Sequence, residues 1–228
     1  MKILITGTSQ GIGKAIAEKF LEADIDNIVY GIDIQCATIV NDRYHHYIAD
    51  ISKKDQLPEF PFEFDIVINN AGVQNGGTGQ YPVMDDIDVN LRGTMNVTEK
   101  YAIPSKELKS VLNIASASAH TGAEFPEYSA SKGGVLAYTK NVALRVADRG
   151  ATCNSISPGG VLTDINLPVM ENPNLWNQIM DLTPLKRWAE PSEIADWCLF
   201  LTVTNRFMTG QDIMIDGGES TNAKFIWC

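Results

Sequence analysis

Tyr128 and Lys132 stand four residues apart, with Ser116 and Asn90 upstream and a glycine-rich run, Thr6-Gly7-Thr8-Ser9-Gln10-Gly11-Ile12-Gly13, near the start of the chain. A tyrosine hydroxyl can exchange a proton with a carbonyl or alcohol oxygen. Its free pKa of about 10 is roughly three units too high for neutral pH, a gap of about 4 kcal/mol. A lysine ammonium about 4 Å away supplies energy of that order at an effective dielectric near 20. On a helix the i, i+4 spacing puts Tyr128 and Lys132 on one face. The positive charge of an oxidised nicotinamide would push the same way. Ser116, 12 residues before Tyr128, carries a hydroxyl that could hold the reacting oxygen and stabilise negative charge developing on it. Ser118 is an alternative, because the run Ala115-Ser116-Ala117-Ser118 offers two hydroxyls. A Y-x-x-x-K pair alone is common; its weight here comes from the glycine-rich run that shares the chain.

Gly7, Gly11 and Gly13 fall between an apolar run and a helix-like segment. Glycine there lets the backbone turn tightly and approach a pyrophosphate, whose charge is favoured by the first helical N–H groups and the helix dipole. Asp33, 20 residues past Gly13, falls at the end of the second apolar run, where a carboxylate can accept hydrogen bonds from an adenosine ribose. A 2′-phosphate would meet a like charge there, at a cost on the order of a few kcal/mol. No Arg or Lys stands at Ser9, Gln10 or Ile34 to offset it. The expected cofactor is therefore NAD(H) rather than NADP(H).

These groups need elements to hold them. Short apolar runs predict strands over Lys2–Thr6, Asn27–Ile34, Tyr44–Ala49, Phe64–Asn69, Ser110–Ser116, Thr152–Ser157 and Gln211–Asp216. Helical patterns fall at Gly13–Ala23, Asp85–Lys100, Ser129–Arg149 and Pro191–Leu201. Strand–helix alternation with buried strands means a Rossmann-type, doubly wound α/β domain: a seven-stranded, mostly parallel sheet with helices on both faces. Strand C-termini line the ligand crevice of such sheets, and Ser116 ends the fifth strand. Asn75–Gly79 reads as a glycine-rich loop. Residues 162–190 are the longest irregular stretch and carry Leu167, Val169, Met170, Leu175, Trp176, Ile179 and Met180. Such a segment either covers a ligand or packs as a pair of core helices.

The 228 residues suit one domain, 1–228, and are short for two. A net charge of −10 with no basic run argues against nucleic acid or an anionic membrane surface as partner. Cys36, Cys153, Cys198 and Cys228 show no metal-ligand spacing, so no metal is expected and the thiols read as reduced. Met1-Lys2 leads directly into Ile3-Leu4-Ile5, leaving no room for a signal peptide, and no apolar run is long enough to span a bilayer. A cytoplasmic protein is the expectation. Phe225, Ile226 and Trp227 are apolar for a free tail and are expected to pack on a neighbour.

With these residues assembled, the chain resembles the classical short-chain dehydrogenase/reductase family from Lys2 to about Gly218. Thr6-Gly7-x-x-x-Gly11-x-Gly13 resembles its cofactor motif, and Asn69-Asn70-Ala71-Gly72 the motif that supports the sheet and cofactor. Asp216-Gly217-Gly218 resembles the closing motif. The resemblance implies a catalytic tetrad of Asn90, Ser116, Tyr128 and Lys132. Tyr128 would be the acid in reduction and the base in oxidation. Lys132 would lower its pKa and bind the nicotinamide ribose, Ser116 would position the substrate oxygen, and Asn90 would anchor a water. Cofactor contacts are implied at Gly7, Ser9, Gln10, Gly11, Ile12 and Gly13, and at Asp33, Asp50 and Ile51, with Asp50 as the adenine-contacting acid. They are implied also at Asn70, Ala71 and Gly72, at Tyr128 and Lys132, and at Pro158, Gly159, Val161 and Thr163 near the carboxamide. Family members are often tetramers, so a homo-oligomer, tetramer or dimer, is implied. Two segments, Ser52–Glu63 and the stretch between Gly72 and Asn90, look shortened against the family pattern, and the Ser116–Tyr128 spacing is one residue tight.

The expected activity is NAD(H)-dependent interconversion of a secondary alcohol and a ketone. A small polyol, sugar or hydroxy acid and a 3-oxoacyl thioester stand as the substrate classes. The chain is acidic, as acyl carrier protein is, and Lys186 and Arg187 form an obvious local basic pair. Glu124, Glu127 and His120 lie near the tetrad in sequence and could bind hydroxyls, but a solvated rim is the preferred reading. A non-catalytic NAD(H) sensor is the alternative, and nothing in binding alone requires Ser116, Tyr128 and Lys132 together.

Overall fold

The computed structural model describes residues 1–74, 85–122 and 125–222. Seven strands form one sheet: β1 (Lys2–Thr6), β2 (Ile28–Asp33), β3 (Tyr44–Ile48), β4 (Ile66–Asn69), β5 (Ser110–Ile114), β6 (Thr152–Pro158) and β7 (Asp212–Ile215). Their order is β3-β2-β1-β4-β5-β6-β7, and every adjacent pair is parallel. The winding direction reverses between β1 and β4, so a crevice opens at the C-terminal strand ends there.

Alternation along the strands divides the core in two. Leu4, Val67, Val111 and Cys153 face α4 (Pro126–Val146), which contributes Tyr138, Val142 and Val146. Ile3, Ile5, Ile66, Ile68, Leu112 and Ile156 face α1 (Gly11–Ala23) and α7 (Pro191–Leu199). Sheets buried on both faces need such nearly continuous apolar strands. In α1 the buried residues Ile16, Ala17, Phe20 and Leu21 form one stripe at helical spacing.

The expected Asp85–Lys100 helix is a composite: π-helical turns over Asp86–Gly93, α2 (Thr94–Val97), and π-helical turns again over Thr98–Ala102. The Thr94 hydroxyl donates to the Asn90 carbonyl at 2.8 Å, bending the ladder where Asn90 projects. The helix carrying Tyr128 begins at Pro126 rather than Ser129, so Tyr128 lies in its first turn. Proline pre-sets the first helical dihedral, and Phe125 turns the chain into it with φ +53°.

The shortened Ser52–Glu63 segment carries one 3₁₀ turn, Lys54–Gln56, in place of a covering helix. Aromatic side chains do the covering: ring centroids of Phe60 and Phe62 lie 5.8 and 4.9 Å from that of Tyr30, and Phe60 lies 4.9 Å from Phe64. Residues 162–190 hold a 3₁₀ turn (Asp164–Asn166), α5 (Leu167–Met170) and α6 (Pro173–Leu182), none with a buried residue. They are therefore surface helices and not a core-packing pair. The expected loop at Asn75–Gly79, Glu124 and the tail residues Phe225, Ile226 and Trp227 lie outside the described residues.

Candidate active site

The glycine-rich turn is built for close approach. Gly7 and Gly11 adopt φ +75° and +55°, which side chains other than glycine rarely take. At Gly13 a Cβ would lie 1.9 Å from the Gly7 carbonyl oxygen and 2.4 Å from Asn70 Nδ2. Asn70 Nδ2 donates to the Thr6 and Gly7 carbonyls at 3.0 and 3.1 Å, while Thr6 Oγ1 accepts from the backbone N–H groups of Asn70 and Ala71. Gln10 caps α1 without a side-chain hydrogen bond, leaving its first N–H groups and Ile12 at the crevice mouth. This cradle, closed to any Cβ and open to an anion, fits a dinucleotide pyrophosphate.

Asp33 sits at the end of β2, one carboxylate oxygen accepting from Ser9 N and the other from Gln35 N, both at 2.9 Å. Its carboxylate is thereby fixed at the rim of the turn. Asp50 lies one strand further out and accepts from the Ser52 N–H and hydroxyl at 2.9 and 2.7 Å. Ile51 is buried against Gly93.

Beneath Asp33 runs a hydrogen-bond chain that the sequence did not disclose. Thr8 Oγ1 lies 2.7 Å from Tyr44 Oη, Tyr44 Oη 2.7 Å from His46 Nδ1, and His46 Nε2 2.8 Å from the Gln35 carbonyl. The carbonyl only accepts, so Nε2 carries a proton. In neutral His46, Nδ1 then accepts from Tyr44, and Tyr44 accepts from Thr8. Gly31 makes room for it, since a Cβ there would come within 2.3 Å of Tyr44 Oη and 2.4 Å of Thr8 Oγ1. A glycine inside a β-strand was the available signal. Tyr44→Phe leaves the buried Thr8 hydroxyl without its acceptor and should destabilise the fold by about 1–3 kcal/mol. The midpoint of urea unfolding checks this; an unchanged midpoint would mean the chain carries no energy.

On the other side of the crevice the Ser116 hydroxyl lies near enough to the Tyr128 hydroxyl to favour its ionised form. Ser118, at the start of α3 (Ser118–Thr121), instead donates its backbone N–H to Ser116 Oγ at 3.2 Å. Lys132 is buried, with Nζ donating to the Ile114 carbonyl at 2.8 Å and lying 5.8 Å from the Tyr128 ring centroid. Asn90 does not stand open toward Lys132. Its side chain clamps Val73, accepting from its N–H and donating to its carbonyl, both at 2.8 Å, and also donates to Ser131 Oγ at 3.1 Å. Gly72 threads between the two, with a Cβ position 2.9 Å from Asn90 Oδ1 and 3.4 Å from Lys132 Nζ.

The electrostatics correct one expectation. Tyr128 is pushed up and not down: burial is the largest influence, the Ser116 hydroxyl opposes it, and the charge of Asp86 adds to it. Burial pulls Lys132 down to about 8, and Asp86 opposes that fall. Lys132 is aimed at the Ile114 carbonyl, so lowering the phenol must await further positive charge at the site.

The third wall is Pro158–Thr163. Gly159 donates to the Ile215 carbonyl at 2.9 Å and packs against Asp216, where a Cβ would lie 2.8 Å from the Asp216 Cβ. Val161 bridges Ala189, and its carbonyl accepts from Asn166 Nδ2 at 2.8 Å. The Thr163 methyl lies 3.3 Å from where a Gly11 Cβ would be, so the two loops meet across the crevice. His120 is turned away toward the sheet edge, where Nε2 lies 2.8 Å from Asp212 Oδ2 and 3.2 Å from Ser157 Oγ. Glu127 stays half-buried in the first turn of α4. Among the described residues no cluster could hold a metal, and no helix is long and apolar enough to cross a membrane.

A family model described as enoyl-(acyl carrier protein) reductase matches residues 7–220. The chain is 30% identical over 256 residues to glucose 1-dehydrogenase of Gluconobacter oxydans, covering 98% of this chain and 93% of that one. It is 30% identical over 241 residues to the 3-oxoacyl-(acyl-carrier-protein) reductase of Chlamydia pneumoniae, covering 95% and 96%. A 4-hydroxyisoleucine dehydrogenase solved with NADH superposes with a TM-score of 0.85 at 26% identity, covering 97% of this chain and 99% of that one. A glycine cradle at the β1–α1 turn and a Ser–Tyr–Lys group across one crevice, joined to this similarity along nearly the whole chain, place it in the classical short-chain dehydrogenase/reductase family.

Proposed function

We propose that the protein is an NAD(H)-dependent oxidoreductase that interconverts a secondary alcohol and a ketone. The observation that carries this is Ser116 and Tyr128 set beside buried Lys132, facing a glycine turn in which Gly7 and Gly13 leave no room for a Cβ. The bound cofactor supplies or accepts the hydride. The chain's own residues manage the oxygen and its proton. Ser116 holds the substrate oxygen, and Tyr128 Oη gives it a proton during reduction or takes one during oxidation. Lys132 holds the nicotinamide ribose and adds positive charge, and Asn90 fixes the backbone at Val73, next to the Gly72 that lies between Asn90 and Lys132. Residues 162–190, with Leu167 and Leu175 exposed, cover the substrate.

Asp33 supports NAD(H) over NADP(H): its carboxylate, fixed at the rim of the glycine turn, would repel a 2′-phosphate bound there. Asp33→Ser should raise the NADP(H)-to-NAD(H) ratio of kcat/KM about 10-fold or more, discounted for partial exposure. An unchanged ratio would remove Asp33 as the discriminating residue.

Between substrate classes, the surface favours a small polyol, sugar or hydroxy acid. The Lys186–Arg187 pair is engaged: Arg187 forms a two-point pair with Glu193 at 2.6 and 2.7 Å, and Lys186 Nζ donates to the Met180 and Asp181 carbonyls. A homo-oligomer, dimer or tetramer, is the proposed assembly, and exposed Trp197, Phe200 and Phe207 support it. The test is turnover of aldoses, polyols, hydroxy acids, their ketones and 3-oxoacyl thioesters with each cofactor. Turnover with NAD(H) on a small hydroxy or oxo compound supports the reading. Tight NADH binding with no turnover across the panel would point instead to a cofactor sensor.

A further inference from the structure

We propose that Asp86 is a positioning residue of the catalytic pair: its buried carboxylate holds the proton on Tyr128 and Lys132 and so extends the pH range over which the site acts as a proton donor. The inference rests on the oxidoreductase reading above and deepens it toward carbonyl reduction.

The placement follows from topology and register. The helix beginning at Asp86 connects β4 to β5, and α4 connects β5 to β6. Both join parallel neighbours on the same face, so the two helices run parallel. Asn90 donates to Ser131 Oγ at 3.1 Å, and Leu91 fits against Gly134, where a Cβ would meet Leu91 Cδ2 at 2.7 Å. One turn before Asn90 stands Asp86, and one turn before Ser131 stands Tyr128. Ser131 Oγ donates in turn to the Tyr128 carbonyl at 2.7 Å, tying that turn of α4 to the same contact.

Asp86 is 3% exposed, so its field reaches its neighbours with little screening by water or salt. It acts on both Tyr128 and Lys132 and favours the protonated form of each. On its own helix the other charged groups are Asp85 and the Asp88–Arg92 pair at 2.9 Å, whose charges offset each other. On the facing turn of α4 they are Glu127, Tyr128 and Lys132. Tyr128 and Lys132 each release a proton in a step of its own. A neighbouring anion raises those steps whichever group releases the proton, and removing it lowers them. Asp86 therefore keeps the donor form of the pair to higher pH and delays the base form needed for oxidation. The equilibrium of the reaction is untouched; the pH windows of the two directions move.

The test is the pH dependence of kcat/KM for alcohol oxidation with NAD in the native protein and in Asp86→Asn, Asp86→Ser and Asp86→Glu. NADH affinity and thermal midpoint are measured beside it. In the two neutral variants the ionisation should move to lower pH by about one unit. In Asp86→Glu, which keeps the charge, it should stay near the native value. Two outcomes overturn the proposal: neutral variants whose profiles superimpose on the native one, or a Glu variant that moves as far as they do, which would make the effect one of packing. Using both Asn and Ser keeps the test open if either replacement prevents folding. Full activity in Tyr128→Phe would refute the oxidoreductase chemistry itself, an outcome distinct from either of these.

Discussion

Tyr128→Phe should lower kcat by about 1,000-fold, within the range general acid–base groups contribute, and leave the affinity for NADH within a few-fold of native. The ring stays and only the hydroxyl goes, so packing in the first turn of α4 is kept. Ser116 loses the neighbouring hydroxyl but remains placed by the Ser118 backbone N–H at 3.2 Å. The substrate oxygen would then be held without a proton donor. Steady-state kinetics with equilibrium NADH titration separates the two effects. A fall in cofactor affinity that accounts for the lost rate would make Tyr128 a binding residue.

Gly13→Ala should cost on the order of 100-fold in cofactor affinity, the scale of a displacement near 1 Å in a positioned site. A Cβ 1.9 Å from the Gly7 carbonyl oxygen cannot be absorbed by a flexible side chain, because the atom it meets is backbone. The start of α1 must move outward, taking its N–H groups away from the pyrophosphate. Asn70 Nδ2, 2.4 Å from the same Cβ position, must also release the turn it ties to β4. Folded stability should fall as well, by roughly 1–3 kcal/mol for overpacking. Isothermal titration with NADH on the folded variant checks the first effect, and native-like affinity would mean the turn does not touch the cofactor.

The sheet was legible because its strands are buried on both faces. Ile3-Leu4-Ile5 and Ile66-Val67-Ile68 read as apolar runs and both are strand cores. The Tyr128–Lys132 spacing was equally plain, since an i, i+4 pair needs only a helix, although that helix starts three residues earlier than apolar periodicity indicated. What escaped depends on where side chains meet at long range. Tyr44 and His46 read as ordinary strand residues until Thr8 and Gln35 are brought beside them. Asp86 stands between Asp85 and Asp88 in sequence, and only helix packing separates the buried one from its half-buried neighbours. His120 was placed near the tetrad by sequence distance, but the α3 turn directs it onto Asp212 of the edge strand. The upward shift of Tyr128 escaped for the same reason: spacing supplies the lysine, but not the burial that raises the phenol.

The central claim is that hydride passes between a nicotinamide and a carbon whose oxygen is served by Tyr128. It is tested most directly with NADH carrying deuterium at both C4 positions and a ketone or oxo acid that the native protein reduces. The account predicts deuterium on the carbinol carbon of the product with the native protein, and almost no labelled product with Tyr128→Phe. Unlabelled product with the deuterium left in the cofactor, or labelling undiminished in Tyr128→Phe, would contradict it.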